Sequence, residues 1–276
     1  MRASFVNAAS PLLIGVIRRT TPAAAIADIA HCVACGANAV DVHLSCLEEE
    51  YWTEDAIREI VDGSPVPIMA LNYNGRYDWS DCGMDEETRV QLLLTAVAAG
   101  VSAVDIQGYT YDVSAKNAYH GDTRYGFAKR CPREVVTDPT VIERQIALIE
   151  RVHAAGAEVV LSTHPGTVMN CEEIVELALF LEKRGPDMIK LVSQCTNEDE
   201  LVEAMRTMLV LTREVRTPVH FHVAGAAGRL SRIINPILGG HMIFCSGEQH
   251  DGANKEQLDL QSAVAVIENM KKLMGE

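Results

Sequence analysis

Short apolar runs, rich in β-branched residues, alternate along the whole chain with longer segments of helical periodicity. Such runs are typical of strands that are buried on both faces. They predict eight strands, at residues 12–17, 39–45, 66–72, 103–108, 158–164, 188–194, 219–224 and 241–246. The intervening segments predict helices, among them 22–36, 86–99, 139–155, 171–184, 198–215, a short one near 231, and 256–273.

Four of the predicted helices end close to a glycine that precedes a strand, namely Gly36, Gly100, Gly156 and Gly185. A glycine in the left-handed conformation is a common helix end. Strands and helices that alternate in this way pair in parallel and connect by right-handed crossovers. Eight such units in 276 residues favour an α/β fold with one closed (β/α)8 TIM barrel, and we expect a single domain over residues 1–276.

One connection is much longer than the others. Residues 109–138, between the fourth strand and the next helix, hold four of the seven tyrosines. A loop of this length in a compact domain is usually functional. Because it leaves the carboxyl end of a strand, we interpret it as an inserted lid or specificity loop, with a peripheral or oligomer contact as the alternative.

Charge and hydropathy exclude several classes of partner. With 24 basic and 38 acidic side chains the formal net charge is −14, so nucleic acid and anionic membranes would repel the chain. The apolar run at residues 11–17 is too short to span a membrane, and the following Arg18 and Arg19 do not fit a signal peptide. We expect a cytoplasmic protein that acts on a small molecule.

The eight cysteines are scattered, and the one CxxC pair, Cys32 and Cys35, lies in a predicted helix rather than after a strand. That placement gives little support to a redox or metal role. We expect buried thiols in a reducing compartment.

Candidate chemistry follows from the rule that barrel enzymes place catalytic residues at the carboxyl ends of strands. Lys190 stands in an apolar strand, where burial favours the neutral amine that attacks carbonyl groups. His164 ends the preceding strand and could remove and return a proton beside an imine formed there. A salt-bridged lysine and a structural histidine are the alternatives.

The segment from Gly225 to Arg232 follows the seventh strand directly. Its glycines let the backbone approach a ligand closely, and Arg232 at the start of a short helix suits a carboxylate or phosphate.

Together these residues resemble the class I (type I) 3-dehydroquinate dehydratase family. The resemblance rests on His164, Lys190, the block Gly228-Arg-Leu-Ser231-Arg232, Phe244 and Gln257. Asp41 and His43 in the second strand and Asp105 in the fourth also fit the family layout.

The resemblance implies a (β/α)8 barrel of the shikimate pathway, commonly a homodimer, that uses no metal or organic cofactor. Lys190 would form a Schiff base with the ketone of 3-dehydroquinate, His164 would be the general acid/base, and Asp105 would orient them. Water would be expelled to give 3-dehydroshikimate. The expected substrate-binding residues are Arg232, Gln257, Phe244, Asp41, His43 and Ser231.

Several positions depart from the family pattern. The second strand carries Asp41, His43 and Ser45 in place of Glu-x-Arg-x-Asp, and Gln107 stands where an acidic residue would support His164. The arginine of the third strand is missing, with Arg76 as a substitute if its loop bends back, and the closing loop reads Gly252 to Gln257 in place of Ser-Ala-Pro-Gly-Gln. We therefore predict a Schiff-base lyase that acts on 3-dehydroquinate or on an altered cyclic keto acid.

Two other classes of function stay open. His220 and His222 point the same way in one strand and, with His43, could bind Zn²⁺ or Mn²⁺ in a metal-dependent hydrolase or aldolase. A keto-acid-binding protein without catalytic activity is the other alternative.

Overall fold

A computed structural model of the chain describes residues 3–73, 84–112, 124–130, 132–247 and 256–275. Its strands are β1 (Leu12–Ile17), β2 (Ala39–His43), β3 (Ile68–Leu71), β4 (Ala103–Gln107), β5 (Glu158–Thr163), β6 (Met188–Gln194), β7 (Val219–Ala224), β8 (Met242–Ser246) and β9 (Leu258–Asp259). Its α-helices are α1 (Pro22–Ala34), α2 (Glu54–Asp62), α3 (Glu86–Ala99), α4 (Pro139–Ala154), α5 (Cys171–Glu182), α6 (Glu198–Glu214), α7 (Ser231–Ile237) and α8 (Leu260–Met274).

The predicted strands and helices agree closely with these bounds, with two informative differences. β2 ends at His43, because residues Leu44–Cys46 form a 3-10 turn. The last helix begins at Leu260 rather than at residue 256, because Leu258 and Asp259 pair with Cys245 and Ser246 of β8 and the Asp259 carboxylate then caps the helix.

Helix ends follow the local chemistry that the sequence predicts. The Thr21 hydroxyl accepts from the Ala24 amide, and Pro22 begins α1. Asn170 and Glu173 form a reciprocal capping box at the start of α5. The four glycines predicted to be left-handed have φ between 79° and 110°.

The chain folds into two compact units, each built from more than one stretch of sequence. Unit 1 comprises Met1–Asp105, Ala154–Glu158 and Met242–Glu276, and unit 2 comprises Ile106–His153 and Val159–His241. The interpretation of the chain as a single domain stays a prediction.

Unit 1 holds parallel strands in the order β4-β3-β2-β1-β8-β9. Its notable pairing joins β1 to β8, with Leu12 beside Met242 and Ile14 beside Phe244. Pairing between the first and the eighth strand, in parallel, is what the closed (β/α)8 arrangement requires.

Unit 2 holds the parallel strands β5, β6 and β7 in that order. Their register places Lys190 of β6 between Ser162 of β5 and His220 of β7. Registered neighbours leave the same face of a sheet, so these three side chains share one face.

The predicted insertion, residues 109–138, contains one short 3-10 helix, Phe127–Arg130, among its described residues. Residues 113–123 and 131 lie outside the described residues. Two buried side chains of unit 2 hold the ends of the segment. Gln145 donates to the carbonyls of Gly108 and Thr110, and Arg184 donates to Gln145 and to the Val136 carbonyl.

Among the residues that the structure describes, no helix is both long and apolar enough to cross a membrane.

Candidate active site

Lys190 lies in the middle of β6, and only 5% of its surface is exposed. The neighbouring positions of the strand are aliphatic and buried. A buried lysine is costly in such a place, because the interior solvates an ammonium poorly. The role of Lys190 as a reactive amine stays a prediction.

His164 directly follows β5 and is held by a carboxylate from the 109–138 segment. Oε2 of Glu134 lies 2.9 Å from Nδ1 of His164 and also accepts from its backbone amide at 2.9 Å. The contact engages Nδ1 of the ring, and the acid–base role of His164 stays a prediction. Glu134 was not predicted from the sequence, and its one signal was its place in an unusually long loop.

His220 and His222 hydrogen-bond to each other, with 2.7 Å between Nε2 of the first and Nδ1 of the second. Burial lowers the pKa of His222 well below its usual value, and the charges of Arg232, His220, Lys190 and His164 lower it further. Three residues singled out by sequence, Lys190, His164 and Arg232, are thus near enough to His222 for their charges to lower its pKa.

The block after β7 is built as predicted, with Arg232 in the first turn of α7 and largely buried. The Ser231 hydroxyl is engaged by backbone, since it accepts from the Val223 amide at 3.0 Å and donates to the Gly228 carbonyl at 2.7 Å. These bonds fix the turn that carries Arg232, so in this structure Ser231 helps to position Arg232.

Unit 1 contains a second polar cluster, at the carboxyl ends of β1, β2 and β3. Nε2 of the buried His43 lies 3.4 Å from Oδ2 of the buried Asp41, and the Tyr73 ring meets the His43 ring edge-on. Arg18, directly after β1, belongs to the same cluster. Burial lowers the pKa of its guanidinium, while Asp41 opposes the shift. Sequence reasoning did not single out Arg18 for the site, although its position just beyond a strand was the available signal.

The other residues of unit 1 predicted to belong to the site are buried at their expected elements. Asp105 lies on β4, Phe244 on β8, and Gln257 just before β9. Their roles stay predictions. Arg76 and residues 252–255 of the closing loop lie outside the described residues.

The alternative of a metal centre at His43, His220 and His222 gains no support from the geometry. Within the described ranges, no three side chains of His, Cys, Asp or Glu are arranged to hold a metal ion. The direct bond between His220 and His222 also engages two of the ring nitrogens that would serve as ligands.

The chain is similar in sequence to one family of known proteins. The family model for type I 3-dehydroquinase matches residues 16–274. A 3-dehydroquinate dehydratase of Aromatoleum aromaticum is 24% identical over 160 residues, which cover 57% of this chain and 60% of that protein. The one from Methanoregula boonei is 29% identical over 128 residues, covering 46% of this chain and 59% of its own length. The matches thus span about 60% of the length of these curated relatives.

Among solved structures, 3-dehydroquinate dehydratase from Geobacillus kaustophilus superposes with a TM-score of 0.75 at 11% identity. The superposition covers 95% of this chain and 91% of that one. At this identity the likeness shows the fold alone, and it confirms the predicted α/β class with (β/α)8 architecture.

Proposed function

The chain belongs to the type I 3-dehydroquinase family, and from this premise we propose that it is a hydro-lyase that removes water from a cyclic keto acid through an imine on Lys190. The observation that carries the proposal is the buried lysine of β6, in register with Ser162 of β5 and His220 of β7. Its first candidate substrate is 3-dehydroquinate. The homodimer and the cytoplasmic location implied by the family resemblance are part of the proposal.

The chemistry assigned to the site balances without a further reactant. The neutral amine of Lys190 attacks the ketone carbon, and loss of water gives an iminium. His164 removes a proton from the adjacent carbon, and the bonding electrons move to the iminium nitrogen to form an enamine. The enamine expels the β-hydroxyl, which leaves as water with the proton returned by His164, and hydrolysis then frees the enone and Lys190.

We assign binding of the substrate carboxylate to Arg232. Arg232 is buried, its charge lowers the pKa of His222, and its guanidinium can form a bidentate pair with a carboxylate. Binding of an anionic substrate by a chain with a net charge of −14 requires such a local cation.

The second strand is where the substrate could differ from 3-dehydroquinate. Asp41 and His43 form a buried pair there, and its hydrogen-bonding pattern differs from that of a Glu-x-Arg pair. Sites built to bond particular hydroxyls discriminate strongly among substrates. The proposal therefore covers a cyclic keto acid with a different hydroxyl pattern.

Borohydride trapping tests the proposal directly. Incubation with 3-dehydroquinate and borohydride should add one ligand mass, mapped to Lys190, and the adduct should be absent from Lys190→Met. That variant should lose at least about 10³-fold in turnover, measured by the absorbance of the conjugated enone, because no other group forms the imine. Lys272→Met, which removes an exposed lysine of α8, is the matched control and should keep wild-type values.

The possible outcomes separate the parts of the proposal. A Lys190→Met variant with wild-type turnover, or an adduct on another residue, contradicts the mechanism. An adduct with another cyclic keto acid but none with 3-dehydroquinate supports the imine and excludes that substrate. Absence of an adduct across a panel of cyclic keto acids contradicts the reaction class.

A further inference from the structure

We propose that Glu134 is the positioning residue for His164, so that the Arg133–Glu134 backbone packed against the end of β5 completes the acid–base group. The inference rests on the proposed function for the role of His164. It assigns to Glu134 a contribution to the chemistry.

Two hydrogen bonds fix the histidine to the segment. Oε2 of Glu134 accepts from the backbone amide of His164 and lies 2.9 Å from Nδ1 of its ring. The carboxylate can only accept, so Nδ1 of the ring carries a hydrogen. Because one oxygen holds both the backbone and the ring, it sets the direction of the ring as well as its tautomer.

The backbone around Glu134 is itself held on β5. The Thr163 hydroxyl donates to the Glu134 carbonyl at 2.9 Å, and the Arg133 amide donates to the Pro165 carbonyl at 2.7 Å. Glu134 has a φ of 59°, in the left-handed region that side chains other than glycine, asparagine and aspartate rarely adopt. Such a conformation persists only where the surroundings impose it, and it is common at functional sites.

Glycines provide the room for this contact. A Cβ on Gly108 would collide with the Glu134 carbonyl oxygen, and one on Gly166, whose φ is 70°, would collide with the Arg133 guanidinium. Gly108 therefore permits an approach of the Glu134 backbone that another residue would block, whereas Gly166 leaves room only for the Arg133 side chain.

The Glu134 carboxylate bears on a position in β4 where this chain differs from the family pattern. Gln107 stands where the family pattern has an acidic residue, so β4 offers no carboxylate at that position. Glu134 supplies one from a different element, 30 residues before His164 in sequence. The carboxylate that contacts the histidine therefore comes from a loop.

The test compares Glu134→Met, which removes the acceptor, with Glu134→Gln, which keeps an acceptor oxygen but removes the charge. Glu176→Gln is the matched control, because the Glu176 carboxylate also accepts from a backbone amide of the segment, that of Phe127, without contacting His164. Nitrogen-15 NMR of labelled histidine in the free protein reports the tautomer of His164. Steady-state kinetics with 3-dehydroquinate and borohydride trapping report the reaction.

Glu134→Met should lose the fixed Nδ1–H tautomer and about 10- to 100-fold in kcat, part of what general acid–base catalysis contributes, with KM within about twofold. The imine on Lys190 should still be trapped, because its formation does not need His164. Glu134→Gln should recover the tautomer and part of kcat, and Glu176→Gln should stay within about twofold of wild type.

An unchanged tautomer in Glu134→Met overturns the inference, whether or not kcat falls, and so does an equal loss of kcat in Glu176→Gln. If the wild-type protein neither turns over 3-dehydroquinate nor forms an adduct with any cyclic keto acid, the proposed function fails. The tautomer measurement on the free protein still decides the assignment of Glu134 in that case.

Discussion

Replacement of Gly108 by alanine should show how tightly the Glu134 backbone is packed against the residue that follows β4. The new Cβ would lie inside 3.0 Å of the Glu134 carbonyl oxygen, closer than a Cβ atom approaches such an atom in real proteins, and it would meet the Ser162 carbonyl oxygen at 3.3 Å. The obstruction is backbone and cannot rotate away as a side chain could. The Glu134 carbonyl must therefore retreat, by roughly 0.5–1 Å.

The magnitude follows from what this retreat disrupts. Thr163 donates to the same carbonyl at 2.9 Å, and a retreat of that size stretches the bond toward or beyond its limit, at a net cost of about 1 kcal/mol. Overpacking adds about 1–3 kcal/mol, so Gly108→Ala should lower the free energy of unfolding by about 2–4 kcal/mol.

Urea unfolding followed by circular dichroism gives this quantity, provided that the m-value stays at its wild-type size. Gly126→Ala is the matched control from the same segment, because its new Cβ would meet only the carboxylate end of the Glu176 side chain, which can move aside. We expect a loss of less than about 0.5 kcal/mol there. A Gly108→Ala protein as stable as the Gly126→Ala protein, with Glu134 unmoved in its structure, would refute the reasoning.

Two further predictions concern titration and reactivity. Burial and the nearby charges keep His222 neutral in the folded state, whereas the unfolded chain binds a proton at this residue near pH 6.5. The free energy of unfolding should therefore fall as the pH is lowered below 6.5, by up to about 1.4 kcal/mol per pH unit. Urea unfolding between pH 7.5 and 5 should show a weaker pH dependence for His222→Asn, and parallel curves for the variant and the wild type would contradict this prediction. Burial raises the pKa of the Cys32 thiol to about 12, so this thiol should react slowly at pH 8. Alkylation of the native protein at pH 8, followed by peptide mapping, should label the partly exposed Cys35 and Cys46 and leave Cys32 unmodified. Early labelling of Cys32 would contradict this prediction, because it would show that the thiol is accessible.

Local chemistry determined most of the fold. The bounds of β1, β6 and β7 follow from their apolar runs, and the helix ends follow from side-chain caps and left-handed glycines, all of which act over a few residues. The start of α8 was predicted too early, because the pairing of Leu258 and Asp259 with β8 depends on a distant segment of chain.

Sequence also predicted a candidate centre, since strand ends in a (β/α)8 fold collect the chemistry. Lys190, His164 and Arg232 were chosen from their place in the strand order, and in the structure the charge of each lowers the pKa of His222. The bond between His220 and His222 was not evident, because alternation along a strand shows that two rings share a face but not that they bond to each other.

The partners of the buried polar residues were decided by the tertiary structure alone. Glu134 reaches His164 only because the long segment returns to β5, where Thr163 holds its backbone and Gly108 leaves room for it. Arg18 likewise joins Asp41 through the pairing of β1 with β2. A sequence pattern records periodicities within one element, whereas the partners of a buried polar group are chosen by where separate elements meet.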